Sequence, residues 1–171
     1  MKCYNRCMFK KMDPVEIRKH KGKSFVGVAT AVAIFNQQGQ LLLARRSENC
    51  RDEHGKWDIC GGGLKAGNTI DANLRSEMKE EFDIDSEQIL HQVGVHEAFR
   101  IDQNNDSTHW LSLDHVIILT EEDVKRVKIN EPENFTDIGW FNLDKLPTPL
   151  HSQLNEQRLK KIKLKFSEIK I

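Results

Sequence analysis

Apolar positions change period several times along the chain, and each change marks an element. Val26 to Phe35 is rich in Val, Ala and Ile with scarcely a polar interruption, and reads as a buried strand. Asn36-Gln37-Gln38-Gly39 is a turn, and Leu41-Leu42-Leu43-Ala44-Arg45 returns as a second strand, so the pair reads as a hairpin. Arg46 to Gly55 is a polar loop, and Trp57-Asp58-Ile59-Cys60 is a short strand feeding a glycine-rich loop that begins at Gly61. From about Ile70 to Phe82 the period becomes helical. Ile70, Asn73, Leu74, Met78 and Phe82 share one stripe, of which Leu74, Met78 and Phe82 are assigned to the core. Ile89 to Phe99 and His109 to Leu119 read as strands around the loop Asp102-Gln103-Asn104-Asn105-Asp106. Glu121-Glu122-Asp123 opens a polar connection, Ile138 to Phe141 is a last strand, and Pro147 and Pro149 break the chain. Leu150 to Phe166 reads as a terminal helix. Leu154, Leu159, Ile162 and Phe166 face inward, with Lys160, Lys161, Lys163 and Lys165 as a solvated face. Hairpin-linked strands with one internal and one terminal helix predict an α/β fold, a mixed sheet covered by helices on two faces.

Composition narrows this picture without redirecting it. With 171 residues the chain is long enough for one domain with a real core. Residues 1–24 are basic, with Lys2, Arg6, Lys10, Lys11, Arg18, Lys19, Lys21 and Lys23 against Asp13 and Glu16. They read as a solvated, partly frayed extension, the alternative being an anion-binding arm, and residues 25–171 as a single domain. Lys+Arg and Asp+Glu both total 26, so no net charge draws the chain to nucleic acid or membrane. No apolar run approaches the roughly 20 residues of a membrane span, and the N-terminus lacks a secretory apolar core, so the expected location is cytoplasmic. Cys3, Cys7, Cys50 and Cys60 form no zinc-spaced cluster and read as reduced thiols, with a metal site at the C-x3-C of Cys3 and Cys7 as the alternative. The seven histidines show no metal-binding spacing. Monomer and homodimer both remain open.

The chemistry concentrates in the predicted helix. Glu77 and Glu81 are four apart and Glu77 and Glu80 three apart, so all three share one side. Like charges at these spacings cost about 0.2–0.5 kcal/mol each, and the macrodipole disfavours anions near a helix C-terminus. A bound divalent cation reverses the sign, because carboxylate oxygens are ligands that Mg2+ prefers.

Gly62 to Ile84 resembles the Nudix box, the signature of the MutT-type Nudix hydrolases, G-x5-E-x7-R-E-U-x-E-E-x-G-U with U a bulky apolar residue. Gly62, Glu77, Met78, Glu80, Glu81 and Ile84 match six of its nine fixed positions. Asn68 stands where Glu is expected, Ser76 where Arg is expected and Asp83 where Gly is expected. Leu43-Ala44-Arg45-Arg46 before the box and Trp140-Phe141-x-Leu-x-x-Leu-Pro after it extend the resemblance over Val26 to Leu150.

The resemblance implies a Nudix-like α/β/α sandwich. It implies hydrolysis of a nucleoside diphosphate linked to another group, with Mg2+ (or Mn2+) as cofactor and a nucleotide as partner. A nucleoside triphosphate cleaved to monophosphate and pyrophosphate is the leading expectation, since the chain is close to a minimal domain. ADP-ribose or a nucleotide sugar is the runner-up. A catalytically silent binding module and an isopentenyl diphosphate isomerase are further alternatives. By position, Gly61, Glu77, Glu80 and Glu81 are the metal ligands, Glu77, Glu80 and Glu131 (over Glu133) the catalytic carboxylates, and Arg46 the phosphate-binding residue with Arg45 second. Arg51 and Lys56 lie in the loop able to cover the phosphates. Trp110 and Phe99 are base-stacking or core residues. The resemblance implies that the box Arg pairs with box glutamates and braces the loop against the helix; with Asn68 and Ser76 in place of Glu and Arg, two neutral polar groups are left to hydrogen-bond, and Arg75 points about 100° away from the bracing position. Asp83 implies either a positive φ, which Asp tolerates, or a different turn.

Overall fold

A computed structural model describes residues 13–102 and 104–169. In chain order the elements are α1 (Pro14–His20), β1 (Gly27–Phe35), β2 (Leu41–Arg46), β3 (Trp57–Asp58), β4 (Cys60–Gly63) and α2 (Ile70–Phe82). They continue with β5 (His91–Ile101), β6 (Ser107–Ile118), α3 (Glu121–Arg126), β7 (Phe135–Phe141) and α4 (Glu156–Ile169). All seven strands belong to one mixed sheet. Its main path runs β3-β2-β1-β6-β5, with β4 on β1 and β7 on β2. β1 lies parallel to β6 along its whole length, while its other edge is shared by β4 and the end of β2, both antiparallel.

β1 explains why its sequence is apolar throughout. Its side chains alternate between two cores. Val32 and Ile34 join Leu42, Leu74, Met78 and Phe82 under α2. Ala31, Ala33 and Phe35 join Leu41, Leu43, Leu154 and Ile162 under α4. The α/β/α sandwich expected from the pattern is therefore the observed architecture. Among the described residues no helix is long and apolar enough to cross a membrane.

Four local readings change. The glycines are in a strand: Gly61, Gly62 and Gly63 pair with Ala31, Thr30 and Ala29, and the loop begins only at Leu64. The polar connection after Thr120 is the short helix α3, capped by the Thr120 hydroxyl accepting from the Asp123 N–H at 3.1 Å. Its six residues are too few to show a period. The terminal helix starts at Glu156, because the backbone before it bridges to Trp57 and so cannot be helical. Residues 13–24 are not frayed. Asp13 caps α1, the Gly22 carbonyl accepts from the His109 N–H at 2.7 Å, and Lys23 pairs with Asp102 at 2.7 Å. Lys2, Arg6, Lys10, Lys11 and both Cys3 and Cys7 lie outside the described residues.

Candidate active site

The site forms where α2 crosses the N-terminal half of β1 and the glycine strand. Thr69 caps α2, its hydroxyl accepting from the Ala72 N–H at 3.1 Å. Leu74, Met78 and Phe82 anchor its buried face, whereas Ile70, read into the same stripe, is 38% exposed. With that face fixed, Glu77 and Glu81 are driven against the sheet and both are buried. The fit requires glycine. A Cβ on Gly62 would overlap the Glu77 carboxylate, and one on Gly61 the Thr30 carbonyl.

Burial pushes the Glu81 carboxyl well above the usual carboxylate range, with Glu77 and Glu131 adding to it; the Cys60 thiol and the Gly61 N–H, at 3.3 Å, oppose by donating to Glu81. The Cys60 thiol is itself pushed up by burial and then by Glu81, so it stays a protonated donor. Glu77 is raised by burial and relieved by Lys65, with Glu80 and Glu131 raising it further. Glu80 differs. It sits at the rim, bonded by the Ser76 hydroxyl and by Lys65 Nζ at 2.9 and 3.0 Å, and those two contacts lower its pKa.

Other residues hold the loop to the helix and sheet. Lys65 spans Glu80 and Glu77, at 2.9 and 3.5 Å, from the loop side. Asn73, placed in the apolar stripe by its spacing, is fully buried and polar in function. Its amide donates to Thr30 Oγ1 at 2.9 Å, and its Oδ1 accepts from the Lys65 N–H at 3.0 Å. Loop, helix and sheet are thereby locked together. Asn68 and Ser76 do not bond each other: Asn68 Nδ2 lies 3.5 Å from Asn73 Oδ1, and Ser76 serves Glu80. Arg75 is occupied on the far side by Asp71 and the carbonyls of Ser86 and Gln88.

Glu131 reaches the site through a cap. Asn130 donates its backbone N–H to the Glu81 carbonyl at 2.9 Å and its side chain to the carbonyls of Lys79 and Glu80, closing the end of α2. That delivers Glu131 close enough to raise both Glu77 and Glu81, with Asn134 Nδ2 on its carboxylate at 2.9 Å. Glu133 is exposed and contributes its backbone carbonyl to Ser47 and Asn49.

On the α4 face of the same glycine strand lies a cavity of about 240 Å3. Its floor is small, with Ala29, Ala31, Ala98 and Ser112. Its walls are cationic, with Arg46, Arg51, Arg100 and Arg158. Arg46 donates to Asp52 at 3.3 Å and lies 3.7 Å from Asp58. Arg45 turns to the other side and holds the Gly55 carbonyl at 3.0 Å. Arg51 sits over the Trp110 ring at 4.8 Å, whereas Lys56 is taken up by Glu53 at 2.7 Å. Trp110 is 8% exposed and in the cavity wall. Phe99 is 68% exposed, stacked on His109, and does not line the cavity.

Sequence reading missed Lys65, Asn73 as a brace, Lys21, Arg100, His151 and Arg158. Lys21 comes from the basic arm, yet its Nζ donates to the Leu64 carbonyl at 2.7 Å and lies near Glu77. His151 and Arg158 carry no motif, and only the bridge from Leu150 to Trp57 and the packing of α4 place them.

As a cation site, the donor set fits a hard divalent ion: two buried carboxylates, a third at the rim and strand carbonyls beside them. Among the described residues no three acidic, His or Cys side chains already converge as a metal cluster, since Glu80 is turned to Lys65.

A family model described as the NUDIX domain matches residues 26–163. Among solved structures, the chain is similar to a MutT NUDIX hydrolase from Burkholderia pseudomallei, with TM-score 0.68 and 24% identity over 81% of this chain and 98% of that one. It is similar to the NUDIX domain of Shewanella oneidensis NrtR complexed with ADP ribose, with TM-score 0.66 and 15% identity over 91% and 99%. A C. elegans Ap4A hydrolase binary complex gives TM-score 0.60 and 18% identity over 84% and 97%. At these identities the structural likeness concerns the fold. Comparison with curated proteins gives no match.

Proposed function

The chain belongs to the NUDIX domain family of hydrolases, and from that membership we propose that it is a Mg2+-dependent pyrophosphohydrolase of nucleotides. The leading reaction is a nucleoside triphosphate cleaved to monophosphate and pyrophosphate. The observation that carries this reading is the burial of Glu77 and Glu81 beneath Gly61–Gly63, with an arginine-walled cavity on the other face of that strand. Glu77, Glu81, the rim carboxylate Glu80 and the Gly61 carbonyl would hold the cation, with Mn2+ as a substitute. When bound, such an ion neutralises phosphate oxygens and lowers the pKa of water.

The chain's own groups divide the remaining work. Arg46, at the end of β2, offers a guanidinium fork to a phosphate. Arg45 holds the 46–55 loop through Gly55 and acts on substrate only through it. Glu131, half-buried and steadied by Asn134, takes the proton of the attacking water at a carboxylate oxygen. Lys65 and Asn73 keep the loop at one distance from α2, which fixes the oxygens in position before substrate arrives. The balanced charge and the free thiols Cys50 and Cys60 support a cytoplasmic setting for a monomer or homodimer.

Similarity to the NrtR domain complexed with ADP ribose supports a nucleoside diphosphate carrying a sugar as the second reading. A panel of nucleoside triphosphates, ADP-ribose, nucleotide sugars, diadenosine tetraphosphate and isopentenyl diphosphate, assayed with Mg2+, separates these. Phosphate or pyrophosphate release from at least one nucleotide, lost on chelation, is the expected result. Binding without turnover on every member would leave a nucleotide-binding module instead.

A further inference from the structure

Lys21 is a cation beside the site that the hydrolase reading leaves without a role, and it precedes the residues 26–163 that match the family. Its backbone is fixed. The Lys21 N–H donates to the Ile17 carbonyl at 2.9 Å, closing α1, and the Gly22 N–H donates to the Phe25 carbonyl at 2.8 Å. Gly22 has φ 83°, and a Cβ there would overlap the Trp110 ring, so the turn needs glycine to seat against β6. From this seat the Lys21 side chain reaches the glycine strand, where Nζ donates to the Leu64 carbonyl at 2.7 Å.

Successive positions along that strand face opposite ways. A Cβ on Gly62 would overlap the Glu77 carboxylate on the α2 face, whereas one on Gly63 would lie 3.0 Å from Lys21 Nζ on the other. That other face is the cavity side: Gly63 pairs with Ala29, and both line the cavity. Lys21 Nζ also lies 5.8 Å from the centre of the Trp110 ring, a further part of the cavity wall. The ammonium therefore occupies the corner between Gly63 and Trp110, across the strand from the carboxylates.

Neighbouring lysines are neutralised. Lys19 pairs with Glu16, Lys23 with Asp102 and Asp106, and Lys65 with Glu80 and Glu77. Lys21 forms no ion pair among the described residues, and the Leu64 carbonyl uses one of its three N–H groups. It is half-buried, and burial lowers its pKa with Glu77 partly opposing. A partly desolvated cation is costly unless an anion reaches it. With Glu77 committed to a divalent ion, that opposing charge is no longer available to Lys21.

We propose that Lys21 is a substrate-binding residue whose ammonium takes a phosphate oxygen of the nucleotide on the cavity side of the glycine strand. This rests on the hydrolase reading and adds to it a phosphate contact from outside the matched family domain. Lysine offers a point charge with rotatable donors, where the cavity's arginines offer fixed forks.

Three variants of the intact chain test it. Lys21→Met keeps the stem and removes the charge, Lys21→Arg keeps the charge, and Lys23→Met removes an equal charge from the same segment. Binding of inorganic pyrophosphate is measured by calorimetry without metal, and kcat and KM with Mg2+ on the nucleotide that the wild type turns over best. Lys21→Met weakens pyrophosphate binding and raises KM by about tenfold or more, the scale of a hydrogen bond to a charged group. Lys21→Arg stays within about threefold of the wild type, since the charge remains. Lys23→Met stays within about twofold, since its ion pairs lie elsewhere. Equal weakening in Lys21→Met and Lys23→Met overturns the proposal, because the loss then follows net charge or docking of the segment. Unchanged affinity and KM in Lys21→Met overturns it as well. On the unmodified chain, pyrophosphate slows acylation of Lys21 relative to Lys19, read by mass spectrometry. Absence of that protection overturns the proposal even if Lys21→Met misfolds. If no nucleotide is turned over while pyrophosphate binding still depends on Lys21, the hydrolase reading fails and the contact stands. Turnover that ignores Lys21 removes the contact and leaves the hydrolase reading.

Discussion

Glu81 concentrates the site's electrostatic tension in one residue. It is buried, its pKa is raised chiefly by burial, and a thiol and a backbone N–H are its donors. Glu81→Gln removes the charge and keeps the shape. Mg2+-dependent turnover falls by more than about 100-fold, the scale for losing a group that stabilises developing charge. The melting temperature without metal stays the same or rises. An active variant refutes Glu81 as a ligand. His151 supplies a pH dependence. Burial lowers its folded-state pKa from 6.5, Asp58 partly opposing and Arg100 and Arg46 adding. The unfolded chain takes up a proton near 6.5 that the folded ring resists, so stability is complete above 6.5 and declines as the pH falls below it. His96 is shifted in the same direction. Thermal melts between pH 7 and pH 5 show a smaller decline for His151→Phe than for the wild type, and parallel curves exclude His151 as a contributor.

Among the elements, α2 shows how an unexpected residue can meet an expected geometry. Asp83 occupies the left-handed C-cap with φ 57° and ψ 28°, its N–H on the Lys79 carbonyl and that of Ile84 on the Met78 carbonyl. The backbone thus adopts the shape that glycine normally provides, and Asp is one of the few other residues that tolerate it. Lys79 at 2.5 Å and Lys128 at 2.9 Å pull the Asp83 carboxyl down to about 2. Asp83→Val, β-branched at positive φ, lowers the melting temperature, whereas Asp83→Gly leaves it near the wild-type value. A tolerated Val shows that the cap relaxes. α3 matters for another reason: its end leads into Asn130, which caps α2 and brings in Glu131.

For the molecule as a whole, α4 is tied to the sheet by a strongly buried ion pair, whose Arg158 also lines the cavity. Arg158 donates twice to Asp114 at 2.7 Å and once to Ser112 at 3.1 Å, both charged side chains being under 8% exposed. Arg158→Met strands the Asp114 carboxylate and costs about 3–5 kcal/mol in denaturant unfolding. Asp114→Leu together with Arg158→Met recovers most of that loss, since replacing both partners leaves no unpaired charge. A double variant no better than the single one shows that the loss is packing of the arginine stem.

The sequence by itself determined whatever depends on periodicity and spacing. The buried strand at Val26 to Phe35, the helix carrying Glu77, Glu80 and Glu81, and the apolar anchor of Leu74, Met78 and Phe82 all follow from positions a few residues apart. So does the box that gives the family. What tertiary structure decided are contacts between residues far apart in the chain. Asn73 turned from stripe residue to brace because Thr30 and Lys65 lie opposite it. Lys65 reaches Glu77 and Glu80 from the loop side, which no helix spacing can reveal. Arg100, Trp110 and His151 meet only because a parallel strand pair, its antiparallel neighbour and a backbone bridge to Trp57 bring them to one cavity. Local pattern records which face a side chain takes. Only the closed sheet fixes what it faces.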